Sequence, residues 1–173
     1  ACPFEMQHWE WGYLKRLCHL ELFSLEGERN STGPIAVSAD GNRIASAATD
    51  GDNVCGVSIW DVGTQKEQLH IEVDALGLGA LAMSGDARLV AAVLDQTGSA
   101  RVWDATTGQE LMTIDRPQEE ACFSVAFNPD GSRLAVGGKT GTIAVYDVLS
   151  KKLVHTIRTK AGAIEAVLFS PDG

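Results

Sequence analysis

The segment Val57-Ser58-Ile59-Trp60-Asp61 returns twice along the chain, as Ala100-Arg101-Val102-Trp103-Asp104 and as Ile143-Ala144-Val145-Tyr146-Asp147. Trp60, Trp103 and Tyr146 are separated by 43 residues each time. A second marker, Arg43-Ile44-Ala45, Arg88-Leu89-Val90 and Arg133-Leu134-Ala135, recurs every 45 residues. Two markers with nearly one period restrict the chain to a repeat architecture, in which each unit buries its apolar surface against its neighbours.

Each unit reads as four short apolar runs of strand length with turn residues between them. The first predicts strands at 34–38, 43–48, 55–60 and 67–73. The second gives 78–83, 88–93, 99–103 and 110–114, and the third gives 122–127, 133–137, 142–146 and 152–157. A further run, 164–169, opens a fourth unit. Asp40-Gly41, Asp130-Gly131 and Asp172-Gly173 are hairpin turn pairs, the glycine supplying the positive φ of a tight connection. No unit leaves room for a helix of ordinary length.

The Asp-Gly hairpins, the aromatic-Asp pairs and the period together resemble the WD-repeat (WD40) β-propeller family. Phe127-Asn128-Pro129-Asp130-Gly131, Phe169-Ser170-Pro171-Asp172-Gly173 and two Trp-Asp pairs in phase carry the match over residues 20–173. The resemblance implies an all-β fold, a partial β-propeller of three complete four-stranded antiparallel blades plus the start of a fourth. The family's Gly-His dipeptide before each innermost strand is missing here. The hydrogen-bond network that histidine serves is therefore expected to be thin, with Ser46, Asp50 and Trp60 in the first blade, Asp95 and Trp103 in the second and only Tyr146 in the third. The structural markers of the repeat are Trp60, Asp61, Trp103, Asp104, Tyr146 and Asp147.

Residues 1–19 differ in kind from the rest. Trp9, Tyr13, Leu17 and Leu20 fall on one stripe at helical spacing, with Glu5 near one end and Lys15, Arg16 and His19 near the other, which predicts a short amphipathic helix. The string 9–19 also resembles the linker before WD repeats in bacterial, planctomycete-type serine/threonine kinases and related multidomain proteins. That implies a bacterial parent with an upstream signalling domain. Residues 20–25 are expected to form the ring-closing strand. Propellers close with 4 to 8 blades, so three sets of strands ending at Gly173 in mid-hairpin predict a fragment whose remaining blades belong to the same parent chain.

The net charge of −9, with Lys and Arg scattered, argues against a nucleic-acid surface. No apolar run approaches the 18 residues of a membrane span, so no membrane contact by this segment is expected. The compartment stays open: cytoplasmic, or membrane-tethered if the parent carries a transmembrane helix. Cys2, Cys18, Cys55 and Cys122 have neither zinc-pair nor dense disulfide spacing.

Three motifs with chemical overtones fail their context. Cys18-His19 lacks further ligands at metal-site spacing. Asp50-Gly51-Asp52-Asn53 opens like a calcium loop, but Val54 and Cys55 break it and no glutamate closes it. Gly77-Leu78-Gly79-Ala80-Leu81-Ala82 satisfies a loose dinucleotide fingerprint, yet a turn and a strand follow where a helix is required.

Weighed as an enzyme, a propeller needs convergent carboxylates, histidines or arginines on its innermost strands. The only charged side chain on those runs is Glu165, and no Ser/His/Asp set is brought together by spacing. The expectation is a non-catalytic scaffold without cofactor or metal, docking protein or peptide partners through its variable loops. The charges on the connections into the innermost strands and between second and third strands are Arg29, Asp52, Arg116, Glu119, Lys139 and Lys160. They form the candidate protein-binding face. The alternatives are the sensory or regulatory arm of a membrane-anchored serine/threonine kinase and, in another class, a propeller holding a metal or quinone.

Overall fold

The computed structural model describes residue 25 and residues 33–49, 55–95, 97–115, 121–160 and 162–173. The N-terminal helix expected over 3–19 lies outside the described residues, and so does nearly all of the ring-closing strand at 20–25. Within them the chain forms twelve strands and no helix. The first sheet is built from β1 (Ile35–Val37), β2 (Arg43–Thr49), β3 (Cys55–Asp61) and β4 (Lys66–Glu72). The second holds β5 (Leu78–Met83), β6 (Leu89–Leu94), β7 (Ala100–Asp104) and β8 (Glu110–Ile114). The third holds β9 (Cys122–Phe127), β10 (Arg133–Gly138), β11 (Thr142–Asp147) and β12 (Lys152–Arg158). Each is an antiparallel meander in sequence order, and the innermost strands β1, β5 and β9 lie side by side. This is the partial propeller that the repeat predicts.

Alternation within single strands decides how the sheets stack. Along β6, Val90, Ala92 and Leu94 join the core shared with the first sheet, while Ala91 and Val93 join the core shared with the third. A strand covered on both faces reads as a continuous apolar run, which Leu89-Val90-Ala91-Ala92-Val93-Leu94 is. Trp103 enters the core between its own sheet and the one before it, and Tyr146 packs likewise against the core of the second seam. The repeat aromatic is thus the residue that ties each sheet to its predecessor.

Register corrects one marker. Arg43 pairs with Asp61 and Arg133 with Asp147, but the partner of Asp104 is Leu89, not Arg88. Backbone bonds agree: Val62, Ala105 and Val148 donate to the carbonyls of Asn42, Arg88 and Ser132 in turn. Arg88 therefore belongs to the hairpin turn, where it is exposed and lies 3.7 Å from Asp86. The apparent 45-residue repeat of the arginine is a coincidence of composition one residue out of phase.

In every sheet the ladder between third and fourth strands slips at the aromatic: Ile59 faces Leu69 but Trp60 faces Glu67, and the same step occurs at Val102/Trp103 and Val145/Tyr146. One extra residue on the outer strand, Gln68, Leu111 or Val154, makes a β-bulge, which puts residues three apart onto a common face. The run 164–169, expected as the next innermost strand, forms no ladder. It lies beside the third sheet, with Ile164 donating to the Gly138 carbonyl at 3.0 Å and accepting from Ser124 Oγ at 2.9 Å.

Candidate protein-docking surface

Two ends of the sheets present loops. One carries the connections between second and third strands and those leading into each innermost strand, the end where the six charged candidates were placed. Lys139 sits in the β10–β11 turn and is exposed; its N–H donates to the Ala121 carbonyl at 2.9 Å. Lys160 is exposed just beyond β12, and the preceding Thr159 bonds the Gly141 carbonyl through both its N–H (2.9 Å) and its hydroxyl (3.0 Å). Lys139 and Lys160 therefore stand at the same loop end of the third sheet, on or next to backbone fixed by hydrogen bonds. Arg29, Asp52, Arg116 and Glu119 lie outside the described residues.

The glycines of the nucleotide-like fingerprint have a structural explanation at this same end. A β-carbon on Gly77 would stand 2.7 Å from Asp95 Oδ2, and one on Gly79 would stand 2.5 Å from Asp95 Oδ1. The glycines make room for that carboxylate, and the segment is the start of β5, not a phosphate-binding turn into a helix.

The opposite end is made of the first-to-second and third-to-fourth strand turns, and aspartates organise it. Ser38 Oγ donates to Asp40 Oδ1 at 2.6 Å and the Asn42 N–H to the same oxygen at 3.0 Å. With these donors, the serine hydroxyl foremost, the Asp40 carboxyl falls to about 2. Asp86 and Asp130 repeat the arrangement with the N–H groups of Arg88 and Ser132. The marker aspartates play a second version. Asp61 accepts from the Thr64 N–H (2.7 Å) and hydroxyl (2.8 Å), Asp104 from the Thr106 and Thr107 N–H groups (both 2.8 Å), and Asp147 from the Ser150 N–H (2.7 Å) and hydroxyl (2.6 Å). These bonds hold all three carboxyls below the usual range: the Thr64 N–H does most for Asp61, the Thr107 N–H for Asp104 and the Ser150 hydroxyl for Asp147. The repeat markers are therefore turn-capping anions.

The expected network of the first blade is present in part. Trp60 Nε1 donates to Ser46 Oγ at 3.0 Å, while Asp50 lies outside the described residues. At the register of Ser46 the other sheets carry Ala92 and Val136, which have no hydroxyl to accept.

Sequence reasoning missed one polar cluster. Ser58 Oγ donates to Glu67 Oε1 at 2.8 Å and lies 3.0 Å from His70 Nδ1. Glu67 and His70 share a face because of the bulge at Gln68, an effect that regular alternation excludes. A nucleophile would need access and a base to take its proton. Ser58 is 1% exposed and its hydrogen goes to the carboxylate, so the set acts as a bridge between β3 and β4. The second sheet uses the same corner differently: Arg101 Nη1 lies 3.6 Å from Glu110 Oε2, and Thr113 Oγ1 donates to Glu110 Oε1. Cys55 and Cys122 are each 1% exposed, and burial pushes the Cys55 thiol up. Among the described residues no group of three or more His, Cys, Asp or Glu is gathered as a metal cage, and no helix is long and apolar enough to cross a membrane.

A model of the anaphase-promoting complex subunit 4 WD40 domain matches residues 96–172. WD repeat-containing protein VIP3 of Arabidopsis thaliana is 26% identical over 154 residues, covering 82% of this chain and 47% of VIP3. WD repeat-containing protein 90 of Xenopus tropicalis is 31% identical over 167 residues, 94% of this chain and 8% of that protein. The chain thus spans less than half the length of both. Among solved structures, the RRP9 WD40 repeats superpose with a TM-score of 0.67 at 22% identity, over 83% of this chain and 43% of that one. Kuenenia stuttgartiensis hydrazine synthase gives 0.70 at 22% identity, over 90% and 43%, a likeness of fold. Three meander sheets stacked on their innermost strands, with aromatic-Asp turns in phase and WD-repeat relatives along most of the length, make the described sheets WD40-repeat blades of the β-propeller kind.

Proposed function

We propose that this segment is a non-catalytic scaffold that docks protein or peptide partners through the loop end carrying Lys139 and Lys160. The observation that carries the reading is their placement. Two exposed cations from separate connections stand at the same loop end of the third sheet, and the Ala121 and Gly141 carbonyls anchor the backbone at Lys139 and next to Lys160. A rigid scaffold presenting charges on loops suits recognition, since little ordering entropy remains to be lost on binding. The charge of the pair favours an acidic peptide.

The test is a display selection of peptides on the full chain, followed by affinity measurement with Lys139→Glu/Lys160→Glu. The double variant should weaken acidic binders at least about tenfold, the scale of losing charged pairs, while leaving unfolding within about 0.5 kcal/mol. Unchanged affinity for every selected peptide would remove this loop end from the reading.

A second reading makes the segment the sensory or regulatory arm of a membrane-anchored bacterial serine/threonine kinase. It is favoured by the string Trp9-Glu10-Trp11-Gly12-Tyr13-Leu14-Lys15-Arg16-Leu17-Cys18-His19, which lies outside the described residues. The flanking reading frame tests it: a Gly-rich loop and a His-Arg-Asp segment upstream are expected, and their absence refutes it.

A further inference from the structure

We propose that the slot between the second and third sheets, at the aspartate end, receives an arginine side chain presented by a partner peptide. The corresponding seam between the first and second sheets shows the device with its occupant built in. There Arg43 opens β2, and its Nη1 donates at 3.3 Å to the carbonyl of Ala87, the residue of the next hairpin turn with φ of 59°. In the second sheet the same register position is Leu89. Leu89 Cδ1 comes within 4.0 Å of where a β-carbon on Gly131 would stand, and Gly131 (φ 73°) is the turn residue equivalent to Ala87. Leucine reaches the right place but has no donor to give. The seam that a guanidinium bridges between the first two sheets carries a leucine between the next two, beside a groove with about 380 Å³ of space.

The lining offers an arginine both hydrocarbon for its stem and an anion for its head. Leu89, Leu111 and Val148 line it with hydrocarbon, against which the three methylenes of an arginine lie. Asp130 stands at the edge beside Gly131, and the Ser132 hydroxyl and N–H hold its carboxyl below the usual range, so it is an anion at neutral pH. A guanidinium entering along the leucines meets that carboxylate and the turn carbonyl together, which an aliphatic side chain cannot use. Lys151, exposed on the other rim, disfavours a second cation and selects an arginine flanked by neutral or acidic residues. The net charge of −9 draws such a ligand from a distance. The inference rests on the docking-module reading, but its slot lies at the end of the sheets opposite Lys139 and Lys160. The two experiments can therefore fail independently.

The test is methyl NMR of the full chain titrated with N-acetyl-arginine methylamide. Leu89, Leu111 and Val148 methyls should shift saturably while Val57 and Ile59 do not. Leu89→Arg supplies the guanidinium internally, as Arg43 does, and should fold while weakening the titration at least about tenfold. N-acetyl-lysine and N-acetyl-leucine methylamides should bind more weakly than the arginine derivative. No saturable shift with the arginine derivative overturns the proposal, as does undiminished binding by Leu89→Arg. Equal or tighter binding of the leucine derivative would make the slot an apolar anchor site and refute an arginine occupant.

Discussion

Replacing Ser46 with alanine tests whether the Trp60–Ser46 hydrogen bond of the blade network stabilises the first sheet. The serine is 7% exposed and the tryptophan it serves 9%, with Trp60 Nε1 donating to Ser46 Oγ at 3.0 Å. Ser46→Ala removes the acceptor and strands an indole N–H out of water. A made hydrogen bond contributes about 1 kcal/mol net, and an unsatisfied buried donor costs about 1–3 kcal/mol, so the variant should lose about 2 kcal/mol. For a chain of this length that lowers the thermal midpoint by about 4–8 °C. The assay is thermal unfolding of wild type, Ser46→Ala, Trp60→Phe and the double variant. With phenylalanine at 60 there is no donor to strand, so Ser46→Ala should then be nearly silent, a coupling of about 1–2 kcal/mol. The reasoning fails if Ser46→Ala costs the same in both backgrounds, or if it leaves the midpoint within about 1 °C of wild type. Ala92 and Val136, in the same register, show that the other two sheets are built without this acceptor, so the effect should be confined to the first.

Two further expectations come from the turns. Asp40, Asp61, Asp104 and Asp147 have folded-state carboxyls held below the 3.8 of a free aspartate, Asp40 down to about 2. Depressed carboxyls stabilise the fold above the unfolded-state value and lose that contribution as pH falls through the folded one. Urea midpoints should therefore be flat from about pH 7 to about pH 5 and fall between about pH 4 and about pH 2; a midpoint rising over that lower range would refute the capping role. Gln65 and Lys151 adopt φ of 57° and 58° where Gly108 holds the same turn position at 75°. Gln65→Gly and Lys151→Gly should each stabilise by about 0.5–1 kcal/mol, because the left-handed region costs a side chain more than glycine loses in the unfolded chain. Denaturant midpoints that drop would count against this.

Strand order was legible because the aromatic marker, the hairpin pairs and the alternation all reported one repeat. Leu78–Met83, Glu110–Ile114 and Cys122–Phe127 fall where the apolar runs put them. The phase of the second unit was not legible from Arg88-Leu89-Val90, since the string imitates its neighbours while standing one residue early. The usable signal was the turn itself: Ser38, Ser84 and Asn128 each precede the first residue of the second-strand ladder by five, which selects Arg43, Leu89 and Arg133. The bulges escaped detection for a different reason. A bulge leaves composition unchanged and shifts only which residues share a face, so Ser58, Glu67 and His70 were scattered in sequence and adjacent in space. Of the six charged candidates, the structure describes Lys139 and Lys160, which lie in the connections where the strand pattern puts them.

These departures from the period are where partner choice can reside. A repeat that copied itself without error would give every seam the same chemistry, and no seam could be distinguished by a partner. Here the scaffold positions are conserved between the sheets while their occupants differ. One outer corner carries Ser58, Glu67 and His70, and the next carries Arg101, Glu110 and Thr113. One seam is bridged by Arg43 and the following one carries Leu89 beside a groove. The backbone bonds that fix the turns are common to all three sheets, so such exchanges leave the strand ladders intact. Side chains at these register positions can therefore change what a blade recognises with little cost to how it folds, provided the buried aromatic at each seam keeps its neighbours in phase.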